Sequence, residues 1–162
     1  MKKLISLILI AILFTTAADA TGNKETSTIS NTNKTEVISD MKMKIEITSD
    51  SGYHTLTATL ANNSSARAFY ELLQKGSITV TMHDYGSFEK VGSLPTSLPR
   101  NDTQITTESG DIILYQGNQI TIYYDTNSWN FTRLGKVDGV TKSELKKILG
   151  KGNVTAVLSI MH

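Results

Sequence analysis

The chain has 162 residues, no cysteine, 16 Lys and Arg against 15 Asp and Glu, and a formal net charge of +1. That balance excludes the basic face a nucleic-acid partner requires and the polybasic patch an anionic membrane attracts. Without cysteine there is neither a disulfide nor a lipidated N-terminal cysteine, so stability must come from a hydrophobic core, for which the length is adequate.

Residues 1–20, MKKLISLILIAILFTTAADA, carry two lysines, an apolar run over residues 4–14 and a small-residue end at Ala18-Asp19-Ala20. This is the n-region, h-region and A-x-A pattern of a secretory signal peptide, and the run is short of the roughly 20 residues a bilayer span needs. Cleavage after Ala20 is the expectation, with an uncleaved anchor as its rival; either way the protein is predicted to be exported, secreted or periplasmic. Cleavage leaves 14 basic and 14 acidic side chains and no segment for membrane insertion. Residues 21–40, TGNKETSTISNTNKTEVISD, have too little apolar content to offset the entropy of ordering them and read as a flexible tether. The folded unit is predicted over residues 41–162.

Met43, Ile45 and Ile47 alternate with polar residues, Asp50-Ser51-Gly52 turns, and Leu56, Ala58 and Leu60 alternate with threonines: a hairpin. Residues 62–65 offer several N-caps before Ala66, Phe69, Tyr70 and Leu73 at helical spacing, with Gly76 as the stop. Ile78, Val80 and Met82 make a third strand, and Tyr85-Gly86-Ser87 turns into a short fourth over residues 88–91. Residues 92–110, with Pro95 and Pro99, read as a long surface loop of restricted freedom. Ile112 to Tyr115 is apolar throughout and predicts a strand buried on both faces. Gln116-Gly117-Asn118 turns into an alternating strand, Ile120, Ile122 and Tyr124. Residues 125–130 form an aromatic-bearing loop before a strand over residues 131–137. Thr141 and Glu144 make a capping box, with Val140 and Leu145 as its staple, for a second helix ended by Gly150. Val154, Ala156, Leu158 and Ile160 close the chain as a strand. The sum is a mainly β protein: about eight strands and two helices, a natural count for a closed eight-stranded barrel capped by the helices.

No spacing amounts to a catalytic signature. The three histidines are in neither H-x-H nor H-x-x-x-H order, so no metal is expected. There is no G-x-S-x-G elbow and no phosphate-cradling glycine loop, and no cofactor is implied. His83-Asp84 with Glu89 nearby admits an acid–base or metal reading, but a His-Asp pair at a strand end beside a turn reads more simply as solvated. Tyr85, Tyr123, Trp129 and Arg133 are the candidate ligand-binding set, since aromatic rings with a guanidinium suit a groove for a peptide or a small planar ligand; the alternative is that they pack the barrel rim. Arg100, after Pro99, is equally suited to anchoring its loop through its five donors.

The segments Ala66-Arg67-Ala68-Phe69, Leu94-Pro95 with Pro99-Arg100, Gly110-Asp111-Ile112 with Tyr115, and Arg133-Leu134-Gly135-Lys136-Val137 resemble, in that order, the bacterial and archaeal cyclophilin-like domains. The resemblance spans residues 41–161 and implies their barrel of eight strands and two helices. Its link to the peptidyl-prolyl isomerases is looser. Gly135-Lys136-Val137 is similar to their strand end, residues 119–124 to the strand lining their proline pocket, and Trp129 to their pocket tryptophan, with a shorter spacing to Gly135. The isomerases carry a catalytic arginine on the strand after the first helix and a glutamine further along; residues 78–91, ITVTMHDYGSFEKV, have neither. The amide-rotation barrier of about 18–20 kcal/mol is lowered partly by a donor to the prolyl nitrogen, and Arg100 or Arg133 is the candidate stand-in catalytic residue. The leading expectation is thus a monomeric module binding a peptide segment or small molecule at Tyr123, Trp129 and Arg133, with residues 92–110 as a wall. An isomerase of exported proteins, and a structural role on an envelope assembly, are the other two.

Overall fold

Strands with one apolar face bury that face most completely when the sheet curls until its first and last members pair. The computed structural model describes residues 41–161 and takes this form; the predicted signal peptide and tether lie outside the described residues. The elements run β1 (Lys42–Ser49), β2 (Gly52–Leu60), α1 (Ser64–Gln74), β3 (Ile78–Tyr85), β4 (Glu89–Ser93), β5 (Thr103–Thr106), β6 (Asp111–Tyr115), β7 (Gln119–Tyr123), β8 (Ser128–Val137), α2 (Lys142–Leu149) and β9 (Val154–Ile160). Eight strands pair antiparallel in the order β2-β1-β9-β3-β4-β7-β6-β8, and β8 returns to β2, which closes the barrel.

The interior is filled by the alternating residues that the sequence marked. Met43, Ile45, Ile47, Ala58, Val80, Met82, Ile112, Leu114, Ile120, Ile122, Leu134, Ala156 and Leu158 form one cluster, each at most 2% exposed. Phe69 and Leu73 of α1 and Leu145 and Leu149 of α2 join it. Asn63 caps α1, its Oδ1 accepting from Ala66 N at 2.8 Å, and Thr141 and Glu144 form the expected capping box of α2. The helices lie at opposite ends of the β1–β2 hairpin: α1 follows Leu60, while the Ile148 carbonyl of α2 accepts from the Ser49 and Ser51 hydroxyls at the turn.

Two parts differ from the sequence expectation. The long loop contains a ninth strand, β5, which pairs only with the first part of β8, Thr103 to Thr106 against Phe131 to Ser128. The predicted aromatic loop is therefore partly strand, since β8 starts at Ser128. Lys90 also departs from a simple surface reading. It is fully buried on the barrel side, donating to Asp84 Oδ1 at 3.0 Å and to the Gly152 carbonyl at 2.7 Å.

Strand β8 serves three partners in turn: β5, then β6, then β2. Its ladder with β6 slips by one residue, pairing Ile113 with Arg133 but Ile112 with Gly135, so Leu134 is extra, as in a β-bulge. The carbonyls freed there are taken up by the entry to α1: Ala61 N donates to Leu134 O at 2.8 Å and Asn63 Nδ2 to Arg133 O at 2.8 Å. Next to the bulge Gly135 crosses β2 so closely that a Cβ would lie 2.5 Å from the Thr59 carbonyl oxygen. Backbone cannot yield as a side chain can. Gly135→Ala is expected to cost about 2–3 kcal/mol, read as a lowered urea midpoint.

Candidate functional site

A strand in a closed barrel shows its second set of side chains to the outside, where they are normally wet. Across β4, β6 and β7 most of them are not. Ile113, Tyr123 and Phe131 form a second buried cluster, with Phe88, Ile105 and Tyr115 packed on it. This accounts for the apolar run of β6: Ile112 and Leu114 enter the barrel core, and Ile113 enters this outer cluster. The rings form a chain. Tyr85 meets Phe88 edge-on at 5.9 Å between centroids, Phe88 stacks on Tyr123 at 6.0 Å, Tyr123 meets Phe131 at 5.8 Å, and Phe131 meets Tyr115 at 6.3 Å. The turn between β3 and β4 sets the first contact, with Gly86 and Ser87 both at φ 58° and Phe88 N donating to Tyr85 O.

On this cluster lies a hollow of about 420 Å³. Tyr85 and Trp129, 60% and 61% exposed, stand at its rim, and Tyr123, 1% exposed, is on its floor. Glu89, Gln119 and Asn127 contribute polar groups. The loop carrying Asn127 is pinned to the chain before β6: Thr107 N donates to Asn127 O at 2.8 Å, and Asn127 N to Thr107 Oγ1 at 2.9 Å.

Three of the four predicted ligand residues, Tyr85, Tyr123 and Trp129, thus meet in one hollow. Arg133 does not line it. The bulge in β8 leaves both Arg133 and Lys136 directed at Asp111, whose carboxylate is fully buried. Arg133 Nη2 donates to Asp111 Oδ2 at 3.0 Å, Glu108 N donates to the same oxygen at 2.9 Å, and Lys136 Nζ lies 3.8 Å from Oδ1. Arg133 ties the loop before β6 to β8. Arg100 is placed otherwise: it lines a second, more open groove with Asp102, Gln104, Tyr115 and Trp129, and Tyr115 and Trp129 also line the aromatic hollow. Residues 92–110, expected to wall the ligand hollow, do not line it; of them Arg100, Asp102, Thr103 and Gln104 line this second groove instead, because β5, which begins at Thr103, pairs against the first part of β8. Arg100 pairs with the Asp102 carboxylate, which also accepts from Thr132 Oγ1.

The sequence reading missed Glu89. Placed among solvated groups, it is in fact 7% exposed, because β4 is covered inside by the barrel core and outside by the aromatic cluster. Its Oε2 is buried and accepts no hydrogen bond from any described residue, and neighbouring Thr121 Oγ1 is likewise unpartnered. Burial pushes the Glu89 carboxyl above the ordinary range and the Asp84 charge adds to the rise; the Tyr123 and Thr121 hydroxyls, close by but outside hydrogen-bond geometry, oppose it only in part. Burial, and after it Glu89, hold the Tyr123 phenol protonated. His83 also lines the hollow; Asp84, next on β3, instead meets Lys90 and the Tyr124 hydroxyl. A further hollow, beside Asp50, Lys146, Lys147 and Lys151, has no aromatic lining. Among the described residues there is no group of three His, Cys, Asp or Glu side chains able to hold a metal.

The model of the Cyclophilin-like family matches residues 47–159. The fold is similar to the solution structure of a hypothetical protein from Archaeoglobus fulgidus, with a TM-score of 0.53 at 15% identity, covering 74% of this chain and 94% of the archaeal one. No curated protein matches.

Two outcomes are expected. Arg133→Ala leaves the buried Asp111 carboxylate with only the more distant Lys136 as a cation, and should lower unfolding free energy by about 2–3 kcal/mol in urea titration. For Glu89, a folded-state pKa above the unfolded value means that the native state holds the proton more tightly. Its contribution to stability is complete below the ordinary value of 4.5 and is lost as pH rises through the raised one. Relative to Glu89→Gln, the native protein should therefore lose melting temperature as pH increases from 4 to 8; a constant difference would contradict this.

Proposed function

The chain belongs to the cyclophilin-like family, and from that premise we propose that it is an exported binding module that takes a peptide segment or small ligand in the aromatic hollow outside the barrel. Export rests on residues 1–20 alone. The binding reading is carried by one observation: Tyr85, Tyr123 and Trp129, distant in sequence, converge on a hollow that is also lined by Glu89, whose buried Oε2 is unpartnered. Rings that are already packed against one another give a ligand contact area at little entropic cost. The rim aromatics are more exposed than folding alone would favour, so a ligand covering them gains the burial they lack.

Isomerase activity is the second reading, and the position of Arg100 favours it. Arg100 lines the groove that shares Tyr115 and Trp129 with the hollow, so a peptide crossing that shared wall would bring a prolyl amide towards a guanidinium. Against it stands β3, whose contribution to the hollow is His83 and Tyr85.

A protease-coupled isomerisation assay on an alanine-proline peptide separates the two. The binding reading predicts no turnover above background at micromolar protein, together with saturable change in the fluorescence of Trp129, the single tryptophan of the chain, on titration with peptide mixtures. Turnover abolished by Arg100→Ala would replace it with the isomerase.

A further inference from the structure

Resting on the reading of the hollow as a binding site, we propose that the ligand it takes is cationic, an alkylammonium group such as a lysine side chain, with Glu89 as its counter-ion and the surrounding rings as its cage. The first support is the state of Glu89. It is 93% buried by its 7% exposure, it lines the hollow, and its Oε2 has no partner among the described residues. A carboxylate withdrawn from water without a partner is costly, and a protein normally supplies a cation or several donors. Lys90, the next residue, lies on the opposite face of β4 and is committed to Asp84 and the Gly152 carbonyl. Arg133 is committed to Asp111. No lysine or arginine is among the residues lining the hollow.

The second support is independent of charge bookkeeping. Tyr85, Tyr115, Tyr123, Trp129 and Phe131 surround the same space. Aromatic faces attract a cation through the ring quadrupole, most strongly when it is desolvated, and cages of this kind are a means of recognising ammonium groups. Gln119 and Asn127 add amide oxygens that can accept from the remaining ammonium hydrogens. A neutral or anionic ligand would use the rings but offer the Glu89 carboxylate no counter-charge.

The groups facing Glu89 are few. Tyr123 on β7 lies beside it, His83 on β3 and Thr121 on β7 are near, and Asp84 is neutralised locally by Lys90. Of these only His83 can bring a positive charge, and it is exposed to solvent.

Two capped tripeptides, alanine-lysine-alanine and alanine-norleucine-alanine, differ at the central side chain by an ammonium group. Titrated against the full-length protein at pH 7.5 with Trp129 fluorescence as readout, the lysine peptide should bind at least tenfold more tightly. In Glu89→Gln that preference should fall to about twofold or less. The preference is a ratio within one protein, so a variant that is partly unfolded still reports it. Equal binding of both peptides, or an undiminished preference in Glu89→Gln, would overturn the cation proposal and leave the hollow as a general binding site. Binding of both peptides that survives Trp129→Ala, followed by calorimetry, would overturn the placement of the site as well.

Discussion

Strand β8 has to satisfy three partners, and the rest of the barrel depends on how it does so. A single straight ladder could not join β5, β6 and β2 along one strand, so β8 takes a bulge at Leu134. The bulge sends Leu134 inward to the core and frees two carbonyls, which accept hydrogen bonds from Ala61 N and Asn63 Nδ2 at the entry to α1. Closure against β2 then requires backbone to touch backbone at Gly135, which a side chain would prevent. The same irregularity places Arg133 and Lys136 on one side of β8, where together they compensate the buried Asp111. Barrel closure, α1 docking and the buried ion pair are thus consequences of one strand.

The candidate site follows from the part of β8 that closure does not use. Its first residues lie beyond the barrel ladder and pair with β5, which carries Trp129 out over the external face of β6 and β7. With β5 and the loop at Asn127 beside it, that face is sheltered, so Ile113, Tyr123 and Phe131 can be apolar although they point away from the core. Shelter also explains Glu89. A carboxylate on an ordinary outer barrel face would be hydrated; here the aromatic cluster takes water away from it. The fold therefore has two apolar interiors, one closed and one open at its rim.

Much of this was legible in the sequence, for a physical reason. Strands wet on one side must alternate, and Met43 to Ile47, Leu56 to Leu60 and Val154 to Leu158 do. The capping box at Thr141 and Glu144 is local chemistry and needs no tertiary information. The four apolar residues from Ile112 announced a strand covered twice. Strand β5 was hidden because Thr103 to Thr106 includes one apolar residue, Ile105, and its partner is a stretch of Ser, Trp and Asn with no alternation. Glu89 and Lys90 were hidden because charged neighbours normally mean solvent, whereas here they fall on opposite faces of a strand covered on both. Tyr85, Tyr123 and Trp129 could be chosen by residue type. That Arg133 is held by Asp111 depends on a one-residue slip in register, which no periodicity reveals.

Of the hollows on the described surface, the sheltered outer face is the one proposed to take a ligand. Amide chemical-shift mapping of the isotope-labelled domain during titration with a mixed peptide pool tests it directly. Binding in the aromatic hollow gives saturable shifts grouped on Tyr85, Glu89, Gln119, Tyr123, Asn127 and Trp129, with the α2 end unchanged. Shifts grouped instead around Asp50, Lys146, Lys147 and Lys151, at the lysine-lined hollow beside α2, would contradict it.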